Sequence, residues 1–405
     1  MAICAKNLCT GCLACCNRCP RDAITVSQDD RGHYVPVIDQ NACVGCGMCE
    51  QICPALHPVP KNPRPATAYA CWLKDRTRRE ESTSGGVFSA LALEILGRGG
   101  AVFGAVFDEN FDVVHAAILD KNQLGAFRGS KYVQSNIAQA YRSALRHLKK
   151  GMPVLFSGTS CQIAGLYAFL PEFFDNLYTV DVLCRCAPSP LYYRDYLNHI
   201  TDGGARKIER IRFRYKKPGW TVYSMRIDFQ DGGPYISDAR NDPYLCAFSQ
   251  GYIGRDCCEV CRYADIRRVA DITLADFWGY VSDVRENKNT EEGISLVLIN
   301  NPRGAELLSR VEGEMVMIPK PIGEAVKGNV GLQYPHPNNA RAKEFWGEYL
   351  KNRDFEWSAR FIGKRTESPR SRIARWTNDH SYLPFVKAAR RVYRTARRKH
   401  NESCH

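Results

Sequence analysis

The segment CTGCLACCNRCP at residues 9–20 recurs in related form as CVGCGMCEQICP at residues 43–54. In each copy, three cysteines at two-residue intervals are followed by a fourth cysteine that precedes a proline. This is the spacing of bacterial two-cluster ferredoxins, in which the fourth cysteine binds the cluster of the other copy. The pattern predicts two [4Fe–4S] clusters, one held by Cys9, Cys12, Cys15 and Cys53 and the other by Cys43, Cys46, Cys49 and Cys19.

The residues between the two copies predict a small ferredoxin-like α+β domain. Residues 23–26 and 34–38 have the composition of short strands, and residues 29–32 form the turn between them. A pair of zinc knuckles is the alternative, but zinc sites take their four ligands in two pairs rather than in runs of four that end in proline. We therefore expect a two-cluster domain at residues 1–55, with Cys4 and Cys16 as free thiols.

The composition of the whole chain is that of a soluble globular protein. Of 405 residues, 44% are hydrophobic and 24% are charged. No apolar run approaches the roughly 18 residues that a membrane span needs, and the cysteine-rich N-terminus lacks a secretory apolar region. We expect a cytoplasmic protein, in which the 19 cysteines serve as metal ligands or redox groups rather than in disulfides.

Three further segments follow the two-cluster domain. Residues 56–66 are rich in proline and predict a stiff linker. Strands and helices alternate over residues 67–343, which predicts an α/β body. Residues 344–405 predict a basic helical tail, with 13 Lys and Arg against 4 Asp and Glu from Phe355 onward.

The basic tail leaves two interpretations open. Its apolar positions between residues 384 and 399 allow peripheral contact with an anionic membrane surface or an acidic partner. A solvated terminal helix that packs weakly on the body explains the same pattern. No nucleic-acid-binding motif accompanies the positive charge, so nucleic acid is not an expected partner.

The body contains three polar, glycine-rich loops. Two of them lead into a probable helix, and the third carries cationic side chains. Backbone N–H groups at a helix N-terminus can hold a phosphate, although an ordinary capped turn explains any one of these loops. None matches a dinucleotide or Walker fingerprint. The loops contain Ser84, Gly85 and Gly86, then Gly129, Ser130, Lys131 and Tyr132, and finally Ser157, Gly158 and Thr159.

A second set of cysteines lies in the body. Cys258 and Cys261 form a two-residue-spaced pair, while Cys161 and Cys184 each follow a predicted buried strand. Together they would complete a third [4Fe–4S] site. Buried inert thiols at Cys161 or Cys184, and a zinc half-site at the pair, remain alternatives.

Several segments of the body resemble the beta subunit family of coenzyme F420 hydrogenases and dehydrogenases. They are Ser82–Phe88, Arg128–Val133, Val154–Gly165, Asp181–Cys184, Arg255–Ala264 and Asp271–Gly279. The resemblance implies an FAD-binding body with a [4Fe–4S] cluster beside the flavin. It implies that Cys161, Cys184, Cys258 and Cys261 bind this cluster and that the three polar loops contact FAD.

The sequence departs from the family pattern at a few positions. The family usually has proline in place of Ser160, glycine in place of Ala275, and Cys-His-Gly in place of Cys184-Arg-Cys186. The missing histidine removes a possible proton donor, so catalytic residues stay unassigned. The roles of Cys186 and Cys257 are not assigned either.

The sequence thus predicts an FAD- and [4Fe–4S]-dependent oxidoreductase. It would pass electrons between ferredoxin, another redox carrier or F420 and a small organic substrate, in either direction. The alternative is a non-catalytic electron-relay subunit bound to a partner redox subunit, and a redox sensor is a third option. The sequence identifies neither the substrate nor the oligomeric state.

Overall fold

The computed structural model describes residues 3–65, 67–280 and 290–364. The N-terminal module contains helix α1 (Ala14–Arg18), strands β1 (Ile24–Gln28) and β2 (Tyr34–Ile38), and helix α2 (Met48–Gln51). β1 and β2 pair antiparallel, from Ile24 opposite Ile38 to Gln28 opposite Tyr34. The two strands predicted between the cysteine motifs are therefore confirmed.

The body begins with alternating strands and helices, as the sequence predicts. Its elements are β3 (Thr67–Leu73), α3 (Arg76–Glu81), α4 (Val87–Gly97), β4 (Ala101–Phe107), β5 (Val113–Ile118), α5 (Ala140–Lys149), β6 (Val154–Thr159), α6 (Ser160–Phe169), β7 (Leu177–Val182), α7 (Pro190–Ile200), β8 (Ile208–Tyr215), β9 (Ser224–Phe229), β10 (Gly232–Asp238), α8 (Pro243–Ser249), β11 (Ile272–Asp276), β12 (Ser295–Ile299), α9 (Pro302–Ser309), β13 (Met315–Pro321), α10 (Ile322–Gly328), α11 (Ala342–Asn352) and α12 (Phe355–Ile362).

A large mixed sheet forms the centre of the body. Its strand order is β13-β3-β12-β11-β7-β6-β4-β5. β4, β6, β7 and β11 are parallel neighbours, and β3 runs in the same direction because β12 is antiparallel to both β11 and β3. The carboxyl ends of these five strands meet at one edge, where loops of α/β proteins commonly bind ligands.

A second, antiparallel sheet of order β10-β9-β8 packs with helices around an aromatic core. Helices α11 and α12 supply Phe345, Trp346 and Tyr349, which are almost fully buried there. The first part of the predicted tail is thus helical and packs into the body, because its aromatic face is buried by α7 and α8. The predicted helix at residues 384–399 lies outside the described residues.

The N-terminal module packs tightly against the body. Leu13 and Ala14 of α1 share one hydrophobic cluster with Tyr141 of α5 and with Ile163 and Leu166 of α6. This shared core means that removing the module would expose apolar side chains of the body to water.

Polar contacts hold the module in the same position. Arg142 of α5 donates to the carbonyl oxygens of Asn17 at 2.6 Å and Cys19 at 3.0 Å. In the proline-rich segment, the Asn62 backbone N–H donates to the Arg268 carbonyl oxygen at 2.8 Å, and Lys61 pairs with Asp265 at 2.8 Å. The predicted linker is therefore fastened to the body at Lys61 and Asn62.

No helix in the described parts of the chain is long and apolar enough to cross a bilayer.

Candidate functional site

The structure brings Cys9, Cys12, Cys15 and Cys53 together. Hydrogen bonds from the Cys4 thiol lower the pKa of both Cys9 and Cys53 to about 6. Cys9 and Cys53 therefore both lie within hydrogen-bonding distance of Cys4. Burial raises the pKa of Cys12 to about 12, and the neighbouring Cys9 and Cys53 add to this shift. The four thiols thus form one group, and Cys4 lies against it as a fifth.

The backbone of the two cysteine motifs repeats the same unusual conformation. Gly11 and Gly45 have φ angles of 66° and 68°, and Leu13 and Gly47, two residues further on, have φ angles of 57° and 69°. Left-handed backbone at these positions costs little for glycine but is unfavourable for leucine. Leu13 is only 1% exposed, and its packing in the shared core offsets that cost.

The cysteines predicted to hold the second cluster surround one pocket of about 370 Å³. Its lining residues include Cys19, Cys43, Cys46 and Cys49. The backbone N–H of Ala23 donates to the Cys19 sulfur at 3.3 Å. Cys46 is exposed, and Val44 beside it is 63% exposed, so this pocket lies at the protein surface.

The body cysteines converge on a second and larger pocket of about 830 Å³. Cys161 is the second residue of α6, Cys184 follows β7, and Cys258 and Cys261 lie on and after the short helical turn Asp256–Val260. The backbone N–H of Ala187 donates to the Cys258 sulfur at 3.4 Å. Burial raises the pKa of Cys184 well above its usual value, and Cys258, Cys161 and Cys261 add to that shift.

All three groups have the donor chemistry of iron–sulfur clusters. In each of the three, at least four cysteine thiols converge and backbone or side-chain donors lie beside the sulfurs, which suits a [4Fe–4S] cubane. Cys186 and Cys257 also line the pocket of the body cysteines. In the described residues, no three Cys, His, Asp or Glu side chains are close enough to share a single metal ion. A cubane needs a wider arrangement, because each thiolate binds a different iron atom.

The first and third cysteine groups adjoin each other on one face of α6. A Cβ atom on Gly165 would lie 2.8 Å from Cys12 Cβ and 3.2 Å from Cys12 Sγ, so only glycine leaves room for Cys12 here. Cys161 lies one helical turn before Gly165, on the same face of α6. Cys12 also contributes to the pKa increase of Cys161, which burial raises to about 12.

Arg255 also links the same two groups. Its side chain is 4% exposed and donates to the carbonyl oxygens of Cys9 and Tyr34, both at 2.8 Å. Its backbone N–H donates to Ala187, whose own N–H reaches the Cys258 sulfur. Thr10 and Pro54 of the N-terminal module line the pocket of the body cysteines, so the module forms one wall of it.

The polar loops predicted to bind a cofactor meet at the carboxyl edge of the main sheet. Thr83 Oγ1 accepts from the Ser130 backbone N–H at 2.7 Å, which joins the loop of Ser84, Gly85 and Gly86 to that of Gly129–Tyr132. The loop of Ser157, Gly158 and Thr159 ends β6, where Ser157 Oγ donates to the Phe103 carbonyl oxygen at 2.8 Å. Gly85 packs against β3 and β12, and Gly86 begins α4.

Two polar groups at this edge are suited to bind a ligand. Ser84 Oγ is buried and has no hydrogen-bond partner within the described chain. Lys131 lies 5.5 Å from the centre of the Phe107 ring, and burial lowers its pKa to about 8. An ammonium group that is half-buried and has a lowered pKa gains from an anionic partner, so these residues could contact an anionic group of a bound ligand.

The structure adds Arg214 and Lys216, which the sequence did not single out. Arg214 is 7% exposed, donates to Asp276 at 2.8 Å and to the Tyr132 hydroxyl at 3.3 Å, and lies 4.0 Å from the Tyr223 ring centre. Lys216 donates to the Ser84 carbonyl oxygen at 2.9 Å, and burial lowers its pKa to about 7. Both lie in a run of charged residues at the end of β8. Such a run more often marks an exposed strand end, so the sequence alone did not indicate a site here.

Comparison with known families agrees with this geometry. Residues 151–324 match the family model for the C-terminal part of the coenzyme F420 hydrogenase/dehydrogenase beta subunit. Over these residues, the chain is similar to that family. Residues 8–56 match the 4Fe–4S dicluster domain. The resemblance predicted from the sequence is confirmed for both regions, and the chain is an iron–sulfur protein related to the beta subunit of F420 hydrogenase.

The other comparisons add little. No curated protein matches the chain. A chain of the F420-reducing [NiFe] hydrogenase complex from Methanosarcina barkeri, from a xenon derivatization study, is 18% identical, with a TM-score of 0.46. The match covers 77% of the present chain and 100% of the hydrogenase chain. The assignment of individual cysteines and loop residues therefore stays a prediction.

Iron content tests the three cysteine groups. The anaerobically purified, fully reconstituted protein should contain about twelve iron atoms per chain, since each group would hold four. Replacing Cys258 and Cys261 by serine should remove about four of them. The control is Cys71→Ala, because Cys71 is buried in β3 away from the three groups. A value near eight in the unmodified protein would contradict the third site.

Proposed function

We propose that the protein is an iron–sulfur flavoprotein oxidoreductase. Electrons would pass between ferredoxin or a similar one-electron carrier and a bound FAD through three [4Fe–4S] clusters, and from FAD to a small organic substrate. The observation that carries this proposal is the contact of Cys12 with the face of α6 that begins with Cys161. It puts the N-terminal module in direct contact with the body site.

The order of the three sites follows from exposure and contact. The group of Cys19, Cys43, Cys46 and Cys49 lies at the surface, where a soluble carrier can approach it. The group of Cys9, Cys12, Cys15 and Cys53 adjoins the body, because Cys12 packs against α6 at Gly165. The body group adjoins Cys12, on the same face of α6. This order predicts electron transfer in single steps from the surface to the body.

FAD is the cofactor that the polar edge fits best. Three loops and the charged residues Lys131, Arg214 and Lys216 extend along the carboxyl edge of the sheet. Flavin mononucleotide is too short to contact all of these residues. FAD has a diphosphate and two ring systems and is long enough to contact them. When bound, FAD would couple single electrons from the clusters to two-electron chemistry.

The residues of this chain have separate tasks in the proposed mechanism. Lys131 would balance the charge of the diphosphate, and Ser84 would donate its free hydroxyl hydrogen to it. The ring of Tyr132 stacks on Phe248 at 4.6 Å, which fixes its orientation at the edge. The guanidinium group of Arg214, held by Asp276, would place a permanent positive charge beside the cofactor.

A relay subunit without its own substrate is the second candidate. It is favoured by the family description, which names a beta subunit of hydrogenases and dehydrogenases. In that case electrons would leave through a partner redox subunit or through F420. Turnover of a substrate by the purified chain alone would favour the enzyme, and reduction of FAD without turnover would favour the relay.

The flavin site predicts the identity of the cofactor and the role of Lys131. Extraction of the anaerobically purified protein should yield FAD rather than FMN. Lys131→Ala should weaken FAD binding by about 1.5–3 kcal/mol, the size of a charge-assisted hydrogen bond. Lys121→Ala is the matched control, since Lys121 is exposed on the neighbouring turn. Equal affinity in the two variants would remove Lys131 from the site, and a flavin-free protein after reconstitution would overturn the proposal.

The order of the clusters predicts where ferredoxin delivers its electrons. Cys46→Ala should disrupt the exposed site and abolish most of the rate at which reduced ferredoxin reduces the bound FAD, as measured by stopped-flow absorbance. Reduction by a hydride donor that reaches the flavin directly, with reduced F420 as the family's candidate, should be unchanged. A point variant is preferable to truncation at residue 66, because truncation would expose the core that α1 shares with α5 and α6.

Two outcomes of this experiment separate the alternatives. Equal ferredoxin rates in Cys46→Ala and in the control Cys71→Ala would mean that the exposed site is not where electrons enter. Loss of both the ferredoxin and the hydride reaction would mean that the variant has damaged the flavin site itself, and Cys43→Ala would then serve as the second variant.

A further inference from the structure

A buried ion pair borders the pocket of the body cysteines. Arg268 Nη2 lies 3.0 Å from Asp181 Oδ2, and the two side chains are 1% and 0% exposed. Arg268 lines the same pocket as Cys161, Cys184 and Cys261, whereas Asp181 lies behind it at the end of β7. The positive member of the pair is therefore the one that faces the cysteines.

The hydrogen bonds of Arg268 leave one donor free. Nη1 donates to the carbonyl oxygens of Tyr263 and Asp265, and Nη2 donates to Ser160 Oγ and Asp181. Nε is buried and has no partner among the residues that the structure describes. A buried N–H group without an acceptor costs about 1–3 kcal/mol. An iron–sulfur cluster in the pocket that Arg268 lines would bring acceptor sulfurs close to this side chain.

Asp181 is fixed by donors from three directions. Thr273 Oγ1 donates to Oδ1 at 2.6 Å, and Ser160 Oγ donates to Oδ2 at 2.6 Å, in addition to the contact with Arg268. The carboxylate therefore stays in place on a rigid strand. A buried ion pair is a weak source of stability, because desolvation of the two charges offsets their attraction. An electrostatic effect on the neighbouring pocket is therefore a better explanation for this ion pair than a contribution to stability.

We propose that Arg268 and Asp181 set the reduction potential of the cluster held by Cys161, Cys184, Cys258 and Cys261. The inference depends on the third cluster of the proposed function. One-electron reduction adds a negative charge to a group that four thiolates already make anionic. Arg268 stabilises the reduced form through its charge and its free N–H donor, and Asp181 opposes this effect from a greater depth. The pair thus keeps the cluster reducible by the clusters of the N-terminal module.

Two neutralising variants should shift the midpoint potential of this cluster in opposite directions. Arg268→Gln should lower it, and Asp181→Asn should raise it, in redox titrations followed by electron paramagnetic resonance. Arg268→Lys should stay closer to the unmodified protein because it keeps the charge. The matched control is Arg267→Gln, since the side chain of Arg267 is 61% exposed and pairs with Asp265. It should leave the potential unchanged.

The opposite signs distinguish an electrostatic role from a structural one, which would shift both variants the same way. An unchanged potential in Arg268→Gln, with about twelve iron atoms present, would contradict the inference but not the proposed function. Loss of about four iron atoms in Arg268→Gln would leave Asp181→Asn to decide: a raised potential supports the inference and an unchanged or lowered one contradicts it. About eight iron atoms in the unmodified protein would instead overturn the third cluster itself.

Discussion

The contact between Cys12 and α6 at Gly165 is the constraint on which the rest of this structure depends. Any side chain at residue 165 would have to displace Cys12, and with it the turn that carries the first cysteine motif. Because the contact is so close, α1 becomes part of the core of the body. The N-terminal module is then held in one orientation, with its inner cysteine group next to the body cysteines and its outer group in contact with solvent.

The contact at Gly165 arranges the cysteine groups in a row that begins at the protein surface. Cysteine groups follow one another from the surface at Cys46 to the carboxyl edge of the main sheet, where the loops of Ser84–Gly86, Gly129–Tyr132 and Ser157–Thr159 gather. Arg255 and Arg268, both almost completely buried, lie beside these groups. Positive charges at these depths would offset the negative charge of bound clusters, and Arg268 is in addition paired with Asp181. The charge distribution therefore agrees with a path for electrons.

The sequence predicted the parts of this arrangement that depend on local spacing. The two cysteine motifs, the strands between them and the alternation of the body all follow from short patterns. The contribution of Arg214, Lys216 and Arg268 could not be predicted in this way. Each is a basic residue in a charged run, and only the fold shows that it is buried beside a site. The packing of α11 and α12 into the body was missed as well, because basic residues alternate there with the aromatic residues that form the core.

The central claim is that the inner module cluster and the body cluster are close neighbours in one path. Electron paramagnetic resonance of the fully reduced, iron-loaded protein tests it most directly, since neighbouring paramagnetic clusters interact magnetically. The account predicts a broadened, interacting spectrum that simplifies when Cys258 and Cys261 are replaced by serine. A spectrum that shows the same interaction with and without Cys258 and Cys261, when the unmodified protein has a full complement of iron, would contradict it.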